Sequence, residues 1–511
     1  MSLEMFVQQY LSQLSGGYFA RQLAVILCLF IFGGVILDLF EAGELSRIKR
    51  VVLAYPAGLC AFSVTAYAML IIGIPYRTWT VCAFLLAEAI AAIALRRKSY
   101  LSHLNKKTMI PMLIAVLIVL VLGAVATSGL VPVSISNDSM YFFRRYPEFI
   151  VYYGKLRDQF DFWLTDTGLA SVAIDTLPSL FGFGESFGIR EFFHIDFILF
   201  FALVVYDRAK LRFAGRGAYV ASVLVTLVLV MSTPFVVLGH WALANMYFME
   251  LFFIVAFLAY EKKDSDIGIV PLLLLALSLL RIEGTLFAVW LIMCISLYTK
   301  FSKKLVYYVI LPMVLLFGGY CLRIFVGFYV LDNIYLFLTP QKAVMLVAVM
   351  IAIGIYLMFV EKRLKDRMPR ALPYVYIAVL LAGNLALLAL DSNLYIGNLK
   401  AFGDNLFRQS GWGIFSHFAV VLAAFIILEY VISIIGGSLK EYRNADNTDI
   451  SYTLTLTIGF ILIVIAAAYG RGDILNEDVG DSGNRVLLQV TPLIVMSFTE
   501  LMLHRINKGQ S

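Results

Sequence analysis

The chain has 511 residues, 61% of them hydrophobic and 14% charged, with a formal net charge of +6. A soluble fold of this length cannot bury so much apolar side chain. The apolar residues also come in runs of roughly 20 rather than in short alternating segments, which excludes a water-soluble enzyme and a β-barrel. The expected fold class is all-α, a polytopic membrane helical bundle of about 13–15 spans.

In chain order the spans are expected near 22–40, 51–74, 78–95, 109–131, 191–206, 217–238, 243–260, 268–280, 284–299, 305–330, 341–360, 372–390, 417–437, 452–469 and 485–503. Basic clusters separate them. Arg47, Lys49 and Arg50 follow the first span, Arg96 to Lys98 with Lys106 and Lys107 follow the third, and Arg208 to Arg216 follow the fifth. Lys262 and Lys263, Lys300 to Lys304, Lys362 to Arg370, Lys440 and Arg443, and Arg505 and Lys508 continue the pattern. If the spans alternate, all of these fall on one side. The positive-inside rule makes that side cytoplasmic, with the N-terminus outside and the C-terminus inside. The positive charge is therefore a topology signal, and no nucleic-acid partner is expected. Composition and compactness suit a bacterial inner (plasma) membrane.

Met1 to Tyr18 contains Glu4 and no Lys or Arg, the wrong n-region for a cleavable signal. The five cysteines lie in or beside apolar runs without a C-x-x-C spacing, so neither a disulfide framework nor a zinc site is expected.

On the outer side the longest polar interruption is 132–190. It opens Pro132-Val-Ser-Ile-Ser-Asn137-Asp138-Ser-Met-Tyr141, placing a carboxylate where a span ends. Two aromatic, mixed-charge stretches follow, Tyr141 to Phe162 and Leu169 to Phe187. Both are expected to lie as amphipathic helices in the interface plane. The segments 391–416 and 469–484 are shorter outer loops, the first a candidate cover for a cavity. The organisation expected is 1–108 as accessory helices, 109–330 as a catalytic core that includes the 132–190 loop, and 331–511 as C-terminal helices.

Asp138 is the first candidate for chemistry. A carboxylate shielded from water accepts a proton as general base, although Asp also caps helices and decorates loops. Asn137 and Tyr141 flank it as supporting residues. Arg144 and Arg145 sit at headgroup level, either anchoring to anionic lipid or meeting the phosphate of a lipid carrier. His240, in Gly239-His240-Trp241, is a phosphate ligand or an interfacial anchor. Leu279-Leu-Arg281-Ile-Glu283-Gly284 joins two short apolar runs whose outer flanks are both basic, so 268–299 reads as a tight hairpin with its charges near the tip. Charges at membrane depth face a cavity or each other, and both remain open for Arg281 and Glu283. Arg485 begins the last span in an outer position that the positive-inside rule disfavours; a guanidinium suits phosphate, and a bridge to Asp478 or Asp481 is the structural alternative. There is no Gly-rich phosphate loop, Ser/His/Asp arrangement or H-E-x-x-H.

Three features together, the acid at Asp138 before amphipathic helices, the Arg281–Gly284 turn, and Gly483-Asn-Arg485-Val-Leu-Leu-Gln-Val-Thr-Pro492, resemble the GT-C superfamily of integral membrane glycosyltransferases. The resemblance implies a polyprenyl-phosphate-linked sugar donor, Asp138 as catalytic base, inversion at the anomeric carbon, and basic residues such as Arg485 and Arg281 on the lipid phosphate. The acceptor is expected to be an envelope glycan or glycolipid on the outer face. The late element departs from the family's R-Y-L-L-P-x-x-P in having Val486 for Tyr. With one clear acid rather than a pair after the span, no metal or other cofactor is expected. Two rival readings are a polysaccharide polymerase or ligase using lipid-linked oligosaccharide, and a lipid-linked glycan transporter or flippase. The first lacks its arginine-rich late loop here, and the second lacks a visible internal repeat.

Overall fold

The computed structural model describes residues 18–40, 45–95, 145–156, 168–183, 187–213, 215–235, 244–262, 266–331, 338–368, 371–407, 412–421, 448–475 and 482–508, with 424 and 428. Every regular element among them is helical. The helices used below are α1 Tyr18–Phe40, α2 Arg47–Ile72, α3 Thr78–Leu95, α4 Tyr146–Tyr153, α5 Leu169–Ile174, α6 Leu177–Phe181 and α7 Phe187–Lys210. They continue with α8 Gly215–Val230, α9 Ala244–Glu261, α10 Val270–Leu280, α11 Gly284–Tyr298, α12 Leu311–Leu331, α13 Pro340–Phe359 and α14 Glu361–Arg367. The last are α15 Leu372–Leu390, α16 Ser392–Phe407, α17 Thr448–Tyr469, α18 Ser482–Leu488 and α19 Thr491–Lys508. Among the described residues nine helical stretches are long and apolar enough to cross a bilayer, so this is a multi-pass membrane protein. The expected spans at 109–131 and most of 417–437 lie outside the described residues.

The chain divides into two compact units. The first comprises Met1–Phe200, Gly239–Ala288 and Phe301–Met358. Its interior is α2, α9 and α10, with α9 buried along almost its whole length. The α1–α2 pair is set by two glycines. A Cβ on Gly33 would lie 1.8 Å from the Ala54 carbonyl oxygen, and one on Gly58 would lie 2.0 Å from that of Leu29. Only a residue without a side chain lets the two backbones approach so closely. At its end α2 stops at Gly73, whose φ of 82° suits glycine and whose N–H donates to Met69 O at 3.0 Å. A π-helical turn, Val306–Ile310, leads into α12.

The second unit comprises Phe201–Leu238, Val289–Lys300 and Phe359–Ser511, with α17 at its centre against α15, α16, α18 and α19. Trp290 lies on α17 where Gly459 leaves room: a Cβ there would stand 2.0 Å from the indole ring. Trp290 Nε1 donates to Leu456 O at 3.4 Å, and Tyr298 Oη pairs with Ser451 Oγ at 2.7 Å. Arg208 ties three helices together by bridging Asp449 at 2.8 Å and Glu500 at 3.2 Å.

Two expectations are corrected. The stretch Leu169 to Phe187 is not one helix on a surface. It is two short helices, α5 and α6, and α5 is wholly buried against α2 and α10. Its residues Leu-Ala-Ser-Val-Ala-Ile are small and apolar enough for an interior position, and Pro178 restarts the chain in the first turn of α6. The segment 391–416 is not a loop but largely the amphipathic helix α16. Tyr395, Asn398, Ala401, Phe402 and Asn405 form its buried stripe. The final span is present as Arg485–His504, with a turn at Gln489 and Val490 where Pro492, in the first turn of α19, lacks the N–H that would continue α18.

The glycine contacts generate a paired prediction. Gly33→Ala should lower stability by about 3 kcal/mol or more, since it drives a methyl into backbone. Gly383→Ala, with open space around its Cβ position on α15, should be neutral or stabilising by up to about 1 kcal/mol. Thermal unfolding of the two variants in detergent measures the contrast.

Candidate active site

The described end of the 132–190 segment is held by the first three helices. The turn between α2 and α3 supplies most of the contacts. Tyr76 N–H donates to Gly154 O at 2.7 Å, and the Tyr76 hydroxyl pairs with Thr176 Oγ1 at 2.7 Å. Burial raises the Tyr76 phenol above its usual range, so the pair stays neutral. Arg77 Nη1 donates to Val151 O at 2.9 Å and Tyr152 O at 3.0 Å, placing its cation on the last carbonyls of α4. Thr78 Oγ1 donates to Leu180 O at 2.7 Å, and Arg21 Nη1 to Gly182 O at 2.9 Å, so α6 is capped in the same way. Arg323 Nη2 reaches Leu156 O just beyond α4 at 3.2 Å.

Behind these helices lies the Arg281 turn. The hairpin expected at 268–299 is present as α10 and α11, and Arg281, with extended backbone, separates them. Arg281 Nε donates to Glu283 Oε1 at 2.5 Å, and Nη1 donates to Asn245 Oδ1 at 2.8 Å. Arg281 and Glu283 therefore face each other and α9, the ion-pair alternative of the sequence reading. Gly284 packs tightly here: a Cβ would stand 3.1 Å from Leu277 O and 3.2 Å from the Phe248 ring. Gly168, with φ of 85°, abuts the same turn. Its Cβ position is 2.7 Å from Leu280 O and 2.8 Å from Arg281 Cα. Residues 113 positions apart in the chain thus touch through backbone.

A second polar group occupies the seam of α7 and α9. Arg190 Nη2 donates to Asp175 Oδ2 at 2.5 Å with both side chains buried, and its guanidinium carbon stands 5.0 Å from the centroid of the Tyr247 ring. One helical turn on, His194 Nδ1 pairs with Glu250 Oε1. Tyr55 Oη donates to Ile189 O at 2.9 Å, and its ring meets Phe192 edge-on. Asn245 Nδ2, Tyr247 Oη, Glu250 Oε2 and Asp196 Oδ2 are buried with no hydrogen-bond partner among the described residues. Buried polar atoms are satisfied as a rule, so each of these calls for an explanation by strain, an ordered water, an ion or a catalytic role.

Sequence reasoning singled out the Arg281 turn but missed Asp175, Arg190, His194, Asp196 and Glu250. The signal was present: Arg190, Glu191, His194 and Asp196 recur within one apolar helix, where ionisable residues point inward to partners. Asp138, Asn137, Tyr141, Arg144 and His240 lie outside the described residues. Arg145 is exposed at the start of α4. Arg485 lies in α18 of the second unit and is 4% exposed, a buried residue rather than one at an open helix mouth. Among the described residues no three His, Cys, Asp or Glu side chains are grouped to hold a metal ion.

The buried pair sets a prediction. Asp175→Asn leaves Arg190 without its counter-charge and should cost about 3–5 kcal/mol, whereas Asp175→Leu with Arg190→Met should recover most of that. Unfolding midpoints of the single and double variants measure it; equal losses would mean the pair is not the source of the effect. No family model, curated protein or solved structure matches this chain.

Proposed function

We propose that this protein is a membrane glycosyltransferase of GT-C type that moves a sugar from a polyprenyl-phosphate donor to an envelope glycan or glycolipid at the outer face of the membrane. The observation that carries the reading is the seating of Gly168 and α5 against the Arg281 turn. The segment that follows Asp138 ends in a fixed, buried position. A rigid support behind a reactive loop suits catalysis, which depends on preorganised groups. A carrier with alternating access instead needs its polar segments free to rock.

In this reaction Asp138 removes the proton of the acceptor hydroxyl. The oxygen attacks the anomeric carbon as the bond from that carbon to the phosphate oxygen breaks. The electron pair leaves with the polyprenyl phosphate, and the configuration inverts. A guanidinium on the phosphate stabilises the charge that develops there, an effect enhanced away from bulk water. Arg281 already directs Nε and Nη1 to Glu283 and Asn245, so its part is to fix the turn that supports the loop. Asn137 and Tyr141 support the base, and Arg144, Arg145 and His240 face the lipid headgroup region.

Purified protein in nanodiscs, given a radiolabelled polyprenyl-phosphate sugar and crude envelope glycan, tests the reading. Asp138→Asn should lower transfer by about 100-fold or more while donor binding persists. Full turnover by Asp138→Asn would move the base elsewhere. Binding of intact lipid-linked oligosaccharide without turnover of any donor would favour a polymerase or a flippase.

A further inference from the structure

We propose that Asp196 and Glu250 hold a proton between them inside the first unit, and that His194 exchanges it with the surroundings. The site goes beyond the reaction proposed above and does not depend on it. All three residues belong to the first unit, on the seam of α7 and α9. Glu250 is 0% exposed and Asp196 5%. The two carboxylates lie within electrostatic reach of each other. Glu250 Oε1 pairs with His194 Nδ1, whereas Glu250 Oε2 and Asp196 Oδ2 have no hydrogen-bond partner among the described residues. The Tyr247 hydroxyl, three residues before Glu250 on the same face of α9, is buried and likewise lacks a partner among them. It lies within reach of the Glu250 charge and can both donate and accept.

A count of charges leaves Asp196 bare. Asp175 has Arg190, and Glu283 has Arg281. The imidazole of His194 can answer one carboxylate, and the one it meets is Glu250. Asp196 makes no ion pair among the described residues. Its neighbours there are Glu250 and the Tyr55 phenol, which donates to Ile189 O instead. A carboxylate buried without a cation neutralises itself by taking a proton, and two acids set close together share one. Because His194 stands beside Glu250, the proton rests on Asp196. Among the described residues no three ligating side chains gather to hold a metal ion, whereas a proton needs neither cavity nor coordination shell. A way in is also present. His194 keeps 14% of its side chain accessible, and Glu191, three residues earlier on α7, is half-buried. In the exchange the imidazolium Nδ1–H passes its proton to Glu250 Oε1. Imidazole and carboxylic acid replace imidazolium and carboxylate, no other bond changes, and His194 is then reprotonated from outside.

The test is infrared spectroscopy of the full-length protein in nanodiscs, with aspartate isotopically labelled at the side-chain carboxyl. Wild type at neutral pH should show the carbonyl stretch of a protonated aspartate, shifting in heavy water and fading as the pH rises. Asp196→Asn should remove that band while the melting temperature moves by no more than about 2 °C, because an amide replaces a neutral acid. His194→Gln should keep the band and slow its exchange into heavy water by about tenfold or more. Sodium ions added at constant pH should leave it unchanged. A protonated-aspartate band that survives Asp196→Asn overturns the inference. So does its absence from labelled wild type, which decides the matter if the variant does not fold. Loss of the band on adding sodium would make the ligand a metal cation and overturns it too. Exchange at the wild-type rate in His194→Gln overturns the part assigned to the imidazole.

Discussion

A charge withdrawn from water into a medium of low dielectric has to bring its counter-charge along. Two of the places in the first unit where this is done hold the long polar segment. Arg190 meets Asp175, and Arg281 meets Glu283 and the amide of Asn245. Each pair joins elements that are distant in the chain. Asp175 follows α5 while Arg190 opens α7; Arg281 ends α10 while Asn245 opens α9. The pairs therefore do more than neutralise one another. They fix where the helices of the long polar segment stop, because moving either partner would leave a bare charge in the interior. The glycines act in concert with them. Gly168 and Gly284 remove the side chains that would hold the backbones apart, and the charges then fix their alignment.

Much of this was legible in the residues, and what was not has a physical reason. Apolar runs of membrane length announce themselves by composition, so the helical bundle follows directly. The Arg281 turn was visible because charge interrupts an otherwise unbroken apolar stretch. The ion pair at Arg190 was not, because it depends on a partner 15 residues earlier that, by itself, looks like a loop acid. The helix α16 was read as loop because Gly397, Gly403 and several Asn residues dilute its pattern. Yet its buried stripe recurs with helical period once Asn398 and Asn405 are counted as interior residues. Asn398 belongs inside because its Oδ1 accepts from Leu475 N–H at 2.8 Å, a partner no local window contains. Similarly, Thr491-Pro492 marked the turn in the last span, but a hydropathy average passes over a single proline.

The first three helices acquire a definite task from the same contacts. Read from sequence they were accessory spans without a stated role. In the structure, Tyr76, Arg77, Thr78 and Arg21 grip the ends of α4 and α6, mostly through backbone carbonyls. Carbonyl contacts hold a helix end whatever side chains it bears. The loop helices are free to vary in sequence while their positions stay fixed, an arrangement suited to a segment that faces a substrate.

The contact between Gly168 and the Arg281 turn has a consequence for biogenesis. The small apolar helix α5 leaves the ribosome after α2 and α4, two of the helices packed on it, but about a hundred residues before α10, another. At ordinary rates of synthesis that interval is on the order of 10 s. During that time one flank of α5 has only lipid or a chaperone against it. The arrival of the hairpin closes that flank and seats Gly168 in the same step. A nascent chain truncated before residue 270 would then carry this segment in a protease-sensitive form, and one extended past 298 would not.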